Sequence, residues 1–440
     1  MLPSIQDSPR TVGSYWEASR PNERQDRQLM GNALFDVAII GAGYAGLSAA
    51  LKLAEFGLSV CVLEAEHVGY GASGRNGGFC CFGGTKLTAR QLVKRFGLDE
   101  ARRFTAYQLA GINLVADRLK AWNVDADCHS KGETSLAHRR KDVDALGAEA
   151  AFLKENFGIR ARLLDKSTLD REGYGGPEFF GGLHMPYGFA LNPMAYVQAL
   201  AAEVRKLGVK IFGKSAVETL IRDGSRWQLD TGHGTVCAKS IVLAGNGYSR
   251  EDVPKWLQGR TLPVMSSVHV TRPLTDEELR AQGWTSDMMS ADTRTLLHYF
   301  RLMPDKRFLF GTRGGIFENK ASLSAMRKRG RSDFDRMFPA WKGVETDYSW
   351  YGHVCLSRNL TPFVGMVPEM PGVYAAMGWH GSGIAMASIS GEKIAGLITG
   401  AIRREDLPVA IQNPFERFPF PSFRKLYLQG AYWWYGARDL

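Results

Sequence analysis

Phe35-Asp36-Val37-Ala38-Ile39-Ile40 followed by Gly41-Ala42-Gly43-Tyr44-Ala45-Gly46 is the stretch on which the fold turns. The first six residues read as a short buried strand and the next six as a glycine turn. Leu47 to Glu55 is apolar at helical spacing, Gly57 stops it, and Ser59 to Glu64 reads as a second strand. A lone G-x-G-x-x-G is weak evidence. Between a buried strand and a helix, with an acidic residue ending the next strand, it predicts a dinucleotide-binding βαβ unit. Gly41 permits the tight turn, Gly43 lets the backbone approach a pyrophosphate, and Gly46 lets helix and strand pack closely. The helix N-terminus offers its free N–H groups to the phosphates. Glu64 stands where a carboxylate can accept from ribose hydroxyls, which favours an unphosphorylated ribose.

The motif alone leaves the cofactor open. The next segment, Gly69-Tyr70-Gly71-Ala72-Ser73-Gly74-Arg75-Asn76-Gly77-Gly78, is a glycine-dense loop with one Arg where a nicotinamide dehydrogenase would carry a plain helix. Such a loop reads either as a flexible surface segment or as backbone wrapped around a large, flat ligand that continues past the pyrophosphate.

Further along, 98–125 and 140–157 read as helices, and 192–208 as a helix capped by Asn192 with Pro193 first. Val209 to Phe212 and Val217 to Ile221 read as strands, Trp227 to Thr231 with Val236 to Ala238 as a hairpin, and Ser240 to Ala244 as a separate buried strand. Residues 262–273 and 294–313 alternate like strands of a mixed sheet, which sets His298 and Tyr299 on opposite faces. A charged helix over 318–338, a strand from Val373 to Met377, the loop 378–383 and a helix from Ile384 to Thr399 follow.

The composition, 45% hydrophobic and 23% charged over 440 residues, fits a globular enzyme of two connected domains. The net charge of +10 is scattered, apart from Arg327, Lys328, Arg329 and Arg331, which read as a solvated helix face rather than a nucleic-acid site. Six cysteines without a C-x-x-C signal neither zinc nor a disulfide framework. The opening MLPSIQDSPR lacks an apolar core, and the apolar run from Phe35 to Ala54 is the βαβ unit rather than a membrane span, so a cytoplasmic protein is expected.

Together these segments resemble the D-amino-acid-oxidase-like flavoprotein superfamily, and within it the γ-glutamylputrescine oxidase branch. The resemblance rests on Ser14-Tyr15-Trp16, the Gly69–Gly78 loop, Val242 to Tyr248, His298-Tyr299-Phe300-Arg301, Trp350-Tyr351-Gly352, Gly378-Trp379-His380-Gly381-Ser382-Gly383, and the tail Phe418-Pro419-Phe420-Pro421. It implies an α/β fold: a discontinuous Rossmann-like FAD-binding domain over 34–115, 190–262 and 345–410, and an α+β substrate domain with a mixed or antiparallel sheet over 116–189 and 263–344. An arm over 1–33 and a tail over 411–440 flank them. Tyr432, Trp433, Trp434 and Tyr435 of the tail have the aromatic area to dock on the body or on another subunit.

The resemblance also implies roles. Gly41, Gly43, Tyr44, Ala45, Gly46, Glu64 and Ala65 would hold the ADP half of FAD. Ser73, Gly74, Arg75, Asn76, Gly77 and Gly78 would run along the pyrophosphate and flavin. Val217 would contact adenine, Gly245 would line the pyrophosphate path, and Gly378, Gly381, Gly383 and Ile384 would face the flavin pyrimidine. Candidate substrate residues are Phe79, Trp379, His380, Tyr299, Arg301 and His353. The implied reaction is hydride transfer from the carbon next to an amine nitrogen to flavin N5, then hydrolysis of the imine, with O2 reduced to hydrogen peroxide, as in polyamine catabolism.

The sequence departs from relatives at three places. Val354 stands where amino-acid-oxidising relatives carry a carboxylate-binding Arg. Arg313 stands where sarcosine oxidases carry an oxygen-activating Lys. Val354-Cys355 opens a stretch one residue longer than the one that attaches flavin covalently in sarcosine oxidases, leaving Cys355 a candidate covalent site. Oxidase against dehydrogenase therefore stays open, as does monomer against homodimer. Competing readings are a dehydrogenase of pipecolate, sarcosine or a hydroxy acid with another acceptor, and a non-catalytic flavoprotein subunit. No metal, nucleic-acid or integral-membrane role is expected.

Overall fold

The computed structural model describes residues 14–21 and 25–439; the opening MLPSIQDSPR and about half of the expected arm lie outside them. The first sheet has the strand order Lys210–Phe212, Val60–Leu63, Gly31–Ile40, Gly234–Leu243, Val373–Met377, Phe363–Met366. Its first five strands run parallel, and Phe363–Met366 is antiparallel to its neighbour. The strands are apolar at the centre of the sheet, over Val37–Ile40, Val60–Leu63, Ile241–Leu243 and Val373–Met377, where both faces are covered. Tyr44–Glu55, Pro193–Lys206 and Ile384–Thr399 supply much of one covering layer, within a single core that includes Leu47, Tyr196 and Ile389.

Two local readings change. The strands expected at Val236 to Ala238 and Ser240 to Ala244 are one strand, Gly234–Leu243. Its first half pairs with Arg226–Asp230 and its second half with Val373–Met377, so two neighbours share one edge. The first strand begins at Gly31, before Phe35, because its exposed early residues take their partners from Gly234 onward.

The second sheet has the order Thr346–Ser357, Thr261–Thr271, Phe308–Arg313, Tyr299–Leu302, Met289–Asp292, Glu133–Leu136, Gly181–Met185, Arg162–Asp165. It is antiparallel except where Met289–Asp292 runs parallel to Glu133–Leu136. The fold is therefore mixed α/β with a largely parallel and a largely antiparallel sheet. Thr346–Ser357 closes the second sheet, although 345–410 was expected to go with the first. The helix Lys320–Met337 covers one face of the second sheet through Phe334, packed on Phe308 and Phe310. Its Lys328 and Arg329 point to solvent. His298 lies on that covered face, 2.7 Å from Asp292 and 3.3 Å from Asp333, while Tyr299 points the other way.

The tail forms a helix, Arg424–Arg438. Its Leu428 and Tyr432 pack on Leu262 and Val264, whereas Trp433 and Trp434 are 73% and 63% exposed. Among the described residues no helix is long and apolar enough to cross a membrane.

Candidate active site

A cavity of about 730 Å³ runs from the carboxyl ends of the parallel strands to the inner face of the second sheet. Its first end is built by the glycine turn. Gly41 has φ +108°, and a Cβ there would sit 3.1 Å from the Ala244 carbonyl oxygen. At Gly46 a Cβ would lie 2.0 Å from the Gly41 oxygen, and at Gly43 2.8 Å from Ser73 Oγ. The backbone can be this compact only without side chains. The helix that follows has Gly43 as a cap without a side chain; its Tyr44 N–H donates to Ser73 Oγ (3.1 Å), and Gly43, Tyr44 and Ala45 line the cavity. Glu64 accepts from the Ala42 N–H (2.8 Å) and the Glu66 N–H (3.0 Å). Burial pushes its pKa up despite those two bonds. Ala65, Val217 and Gly245 complete this end.

The 69–78 loop is not a free surface segment. Six consecutive carbonyls, Ala72 to Gly77, each accept a hydrogen bond from a side chain. Asn76 Nδ2 reaches Ala72 and Ser73 (3.0 Å each), Ser14 Oγ reaches Gly74 (3.2 Å), and Trp350 Nε1 reaches Arg75 (2.9 Å). Trp16 Nε1 reaches Asn76 (2.8 Å) and Arg301 Nε reaches Gly77 (3.1 Å). Trp16 is buried, so the arm motif Ser14-Tyr15-Trp16 acts as a clamp on the loop. With these carbonyls engaged, Arg75 holds its guanidinium 4.1 Å over the Tyr70 ring, and its buried Nη1 has no partner.

The far end lies on the second sheet. Tyr299 faces the cavity, its hydroxyl 3.1 Å from Ser266 Oγ and its ring edge-on to Phe79. Trp379, Gly381, Ser382, Gly383 and Ile384 form the opposite wall, where the helix Ile384–Thr399 begins with no side-chain cap. Arg313 reaches this wall so closely that a Cβ on Gly381 would sit 2.8 Å from its Nη2. Its Nε is buried without a partner, and burial lowers its pKa. Beside it Lys86 lines the cavity, pulled down to about 7 first by desolvation and then by the Arg313 charge. Glu133 lies elsewhere on the lining, with the Cys81 thiol as neighbour, and burial raises its pKa. His353 also lines the cavity; its Nε2 is 3.0 Å from Glu318 and its buried Nδ1 is unpaired.

Two candidates from the sequence do not line the cavity. His380 is buried, with Nδ1 3.2 Å from the Gly84 oxygen and Nε2 accepting from the Ser357 N–H at 3.2 Å. Its ring joins two segments and has no face left for a ligand. Arg301 is spent on Gly77, on the Leu191 oxygen (2.9 Å) and on His129 Nε2 (3.0 Å), so it shapes the loop from behind. Gly46, Gly74, Gly78 and Gly378 likewise act through close packing; a Cβ on Gly78 would meet the Leu191 oxygen at 2.1 Å. Cys355 lines the cavity, with its thiol pushed up to about 12 by burial. Lys86, Glu133, Cys81 and Ser266 were absent from the sequence-based candidates. Glu133 and Ser266 reach the cavity through the strand order of the second sheet, and Cys81 and Lys86 through the loop between Phe79–Cys80 and Ala89–Phe96.

The match to known proteins fits this geometry. Residues 36–397 match the family model described as DAO, FAD dependent oxidoreductase. The chain is 32% identical to a probable oxidoreductase OrdL of Haemophilus influenzae, over 92% of each chain. It is 30% identical to the gamma-glutamylputrescine oxidoreductase of Escherichia coli, over 94% of each. The glycine oxidase structure from Bacillus cereus superposes with a TM-score of 0.68 at 21% identity, over 87% of this chain and all of that one.

Proposed function

The chain belongs to the DAO family of FAD dependent oxidoreductases, and from that membership we propose that it oxidises an amine at the carbon next to nitrogen, with oxygen as acceptor and hydrogen peroxide as product. The cavity suits the cofactor: a glycine turn that any Cβ would block, a carboxylate beside it, and an unpaired Arg75 Nη1 further along. Glu64 would hold ribose, the N-terminus of Tyr44–Glu55 the pyrophosphate, and the Ser73–Gly77 backbone with Gly381–Ile384 the ring system. When bound, FAD supplies a hydride acceptor at N5. The N-terminus of Ile384–Thr399 favours negative charge beside the ring.

The observation that carries the amine reading is the cation pair at the ring end. An amine can give up hydride only when its nitrogen is neutral. Arg313 and Lys86, with no carboxylate paired to either among the described residues, raise the cost of an ammonium beside them. Lys86 Nζ, near neutrality itself, takes the proton as the amine binds. Tyr299, Phe79 and Trp379 orient the carbon. Val354, in place of a carboxylate-binding Arg, favours a substrate that is not a simple α-amino acid. The γ-glutamylated putrescine named for the Escherichia coli relative fits that preference.

The test is the visible spectrum of the holoprotein under anaerobic conditions with γ-glutamylputrescine, sarcosine, pipecolate and glycerol 3-phosphate. Bleaching by an amine, reversed by air with release of peroxide, is expected. Bleaching by the hydroxy compound alone would remove the amine reading. Colour that returns only with an artificial acceptor would replace oxygen.

A further inference from the structure

Two charged residues of the second sheet, Arg313 and Glu133, face the cavity from well-separated places. Tyr299 pairs with Gly311 on one side and Ala291 on the other, and Ala291 with Ser135. Arg313 lies two residues beyond this row in one direction and Glu133 two residues beyond it in the other, on strands three positions apart. Strand spacings of about 4.8 Å and rises of about 3.3 Å per residue put their Cα atoms about 20 Å apart, with Tyr299 between them. All three side chains line the same cavity. On this sheet the cavity therefore carries a guanidinium at the end that meets Gly381 and a carboxyl group at the other.

Glu133 has no cation of its own. No ion pair joins it to any described Lys, Arg or His, and its surroundings include Cys81 and Met289. Arg301, two strands away, is committed to the loop carbonyls and His129. A carboxyl group desolvated in this way is costly to ionise unless a ligand brings the counter-charge. Its raised pKa expresses the same fact. The long separation matters as well. A cation on Glu133 is too far from Arg313 to be the nitrogen undergoing oxidation beside it.

We propose that Glu133 receives a second, cationic nitrogen of the substrate, so that this enzyme acts on elongated amines with an ammonium remote from the carbon that loses hydride. The inference rests on the amine reading of the ring end, and it is tested without turnover. Hexyltrimethylammonium carries a fixed charge and cannot form an imine. Hexan-1-ol is its neutral counterpart. Both are titrated calorimetrically into the oxidised, FAD-loaded protein and into Glu133→Gln. The wild type should bind the cation about 30-fold or more tightly than the alcohol, as expected for a desolvated charge pair. In E133Q that preference should collapse to within about threefold while alcohol binding stays the same. No cation preference in the wild type, or an undiminished one in E133Q, would overturn the proposal. If E133Q fails to hold FAD, Glu133→Met replaces it, with the same collapse of the cation preference expected. Cation preference without bleaching by any amine would uphold this subsite while removing the amine reading of the ring end.

Discussion

Replacing Lys86 by Met should remove an ionisation from the reductive step. The side chain is exposed and lines the cavity, whose walls include Arg313 and Ser382. Desolvation first, and the Arg313 charge second, bring it from 10.5 to about 7. At pH 7 about half of the molecules then carry a neutral Nζ, against about 0.03% for an unperturbed lysine, a gain of roughly 1,500-fold in proton acceptor. His380, the other titratable group acting on Lys86, is pushed down to about 4 and is neutral throughout the working range. Below pH 7 a protonated Lys86 cannot accept, so the limiting rate of flavin reduction should fall about tenfold per pH unit there and level off above. Stopped-flow reduction under anaerobic conditions between pH 5.5 and 9 reads this directly. Lys86→Met should abolish the inflection and slow the plateau about 100-fold, the lower range for a lost proton acceptor. Arg313→Met, by removing the neighbouring charge, should move the inflection to higher pH. An inflection near 7 that persists in Lys86→Met, at a rate within about threefold of wild type, would refute the assignment.

Three further outcomes follow from other parts of the molecule. Gly46→Ala places a Cβ 2.0 Å from a backbone oxygen that cannot move away, so purified protein should show little or no bound FAD by its visible absorbance. Acid precipitation should leave the yellow colour in the supernatant, because a Cys355 thiol held at about 12 lacks the thiolate character that attachment needs; colour in the pellet would reverse that. His298 is desolvated, yet Asp292 and Asp333 outweigh this and raise it to about 9. Its folded value exceeds the unfolded 6.5, so the stabilisation is complete below pH 6.5 and is lost as pH rises through 9. His298→Gln should cost about 3 kcal/mol in urea unfolding at pH 6 and much less at pH 10.

What the sequence made legible was local. The strand, glycine turn and helix at 35–55 follow from apolar runs broken by Gly41, Gly43 and Gly46, and Pro193–Lys206 announces itself through Asn192 and Pro193. The second sheet was harder, because Glu133–Leu136 and Met289–Asp292 are four residues each and too short to establish a period. Motif residues were also easier to find than to place. His380 and Arg301 sit in the right strings, yet their nitrogens are consumed by backbone carbonyls and neighbouring side chains.

Lys86 and Glu133 show the limit most clearly. Each is an isolated charge outside the motifs read from the sequence, and each reaches the cavity through contacts distant in sequence, Glu133 by strand pairing and Lys86 by a backbone bond to Leu360. Glu133 gains its setting from Met289, more than 150 residues away, and Lys86 its depressed pKa first from desolvation and then from the charge of Arg313, more than 220 residues away. Desolvation is the property that gives both their chemistry, and it belongs to the assembled walls rather than to any one segment. The Ala72–Gly77 loop shows the converse. Its glycines mark a tight approach in the sequence, but its rigidity comes from indoles at Trp16 and Trp350 and a guanidinium at Arg301. A glycine-rich segment is a precise ligand cradle only when distant donors fix its carbonyls, which is why the arm that carries Trp16 belongs to the site.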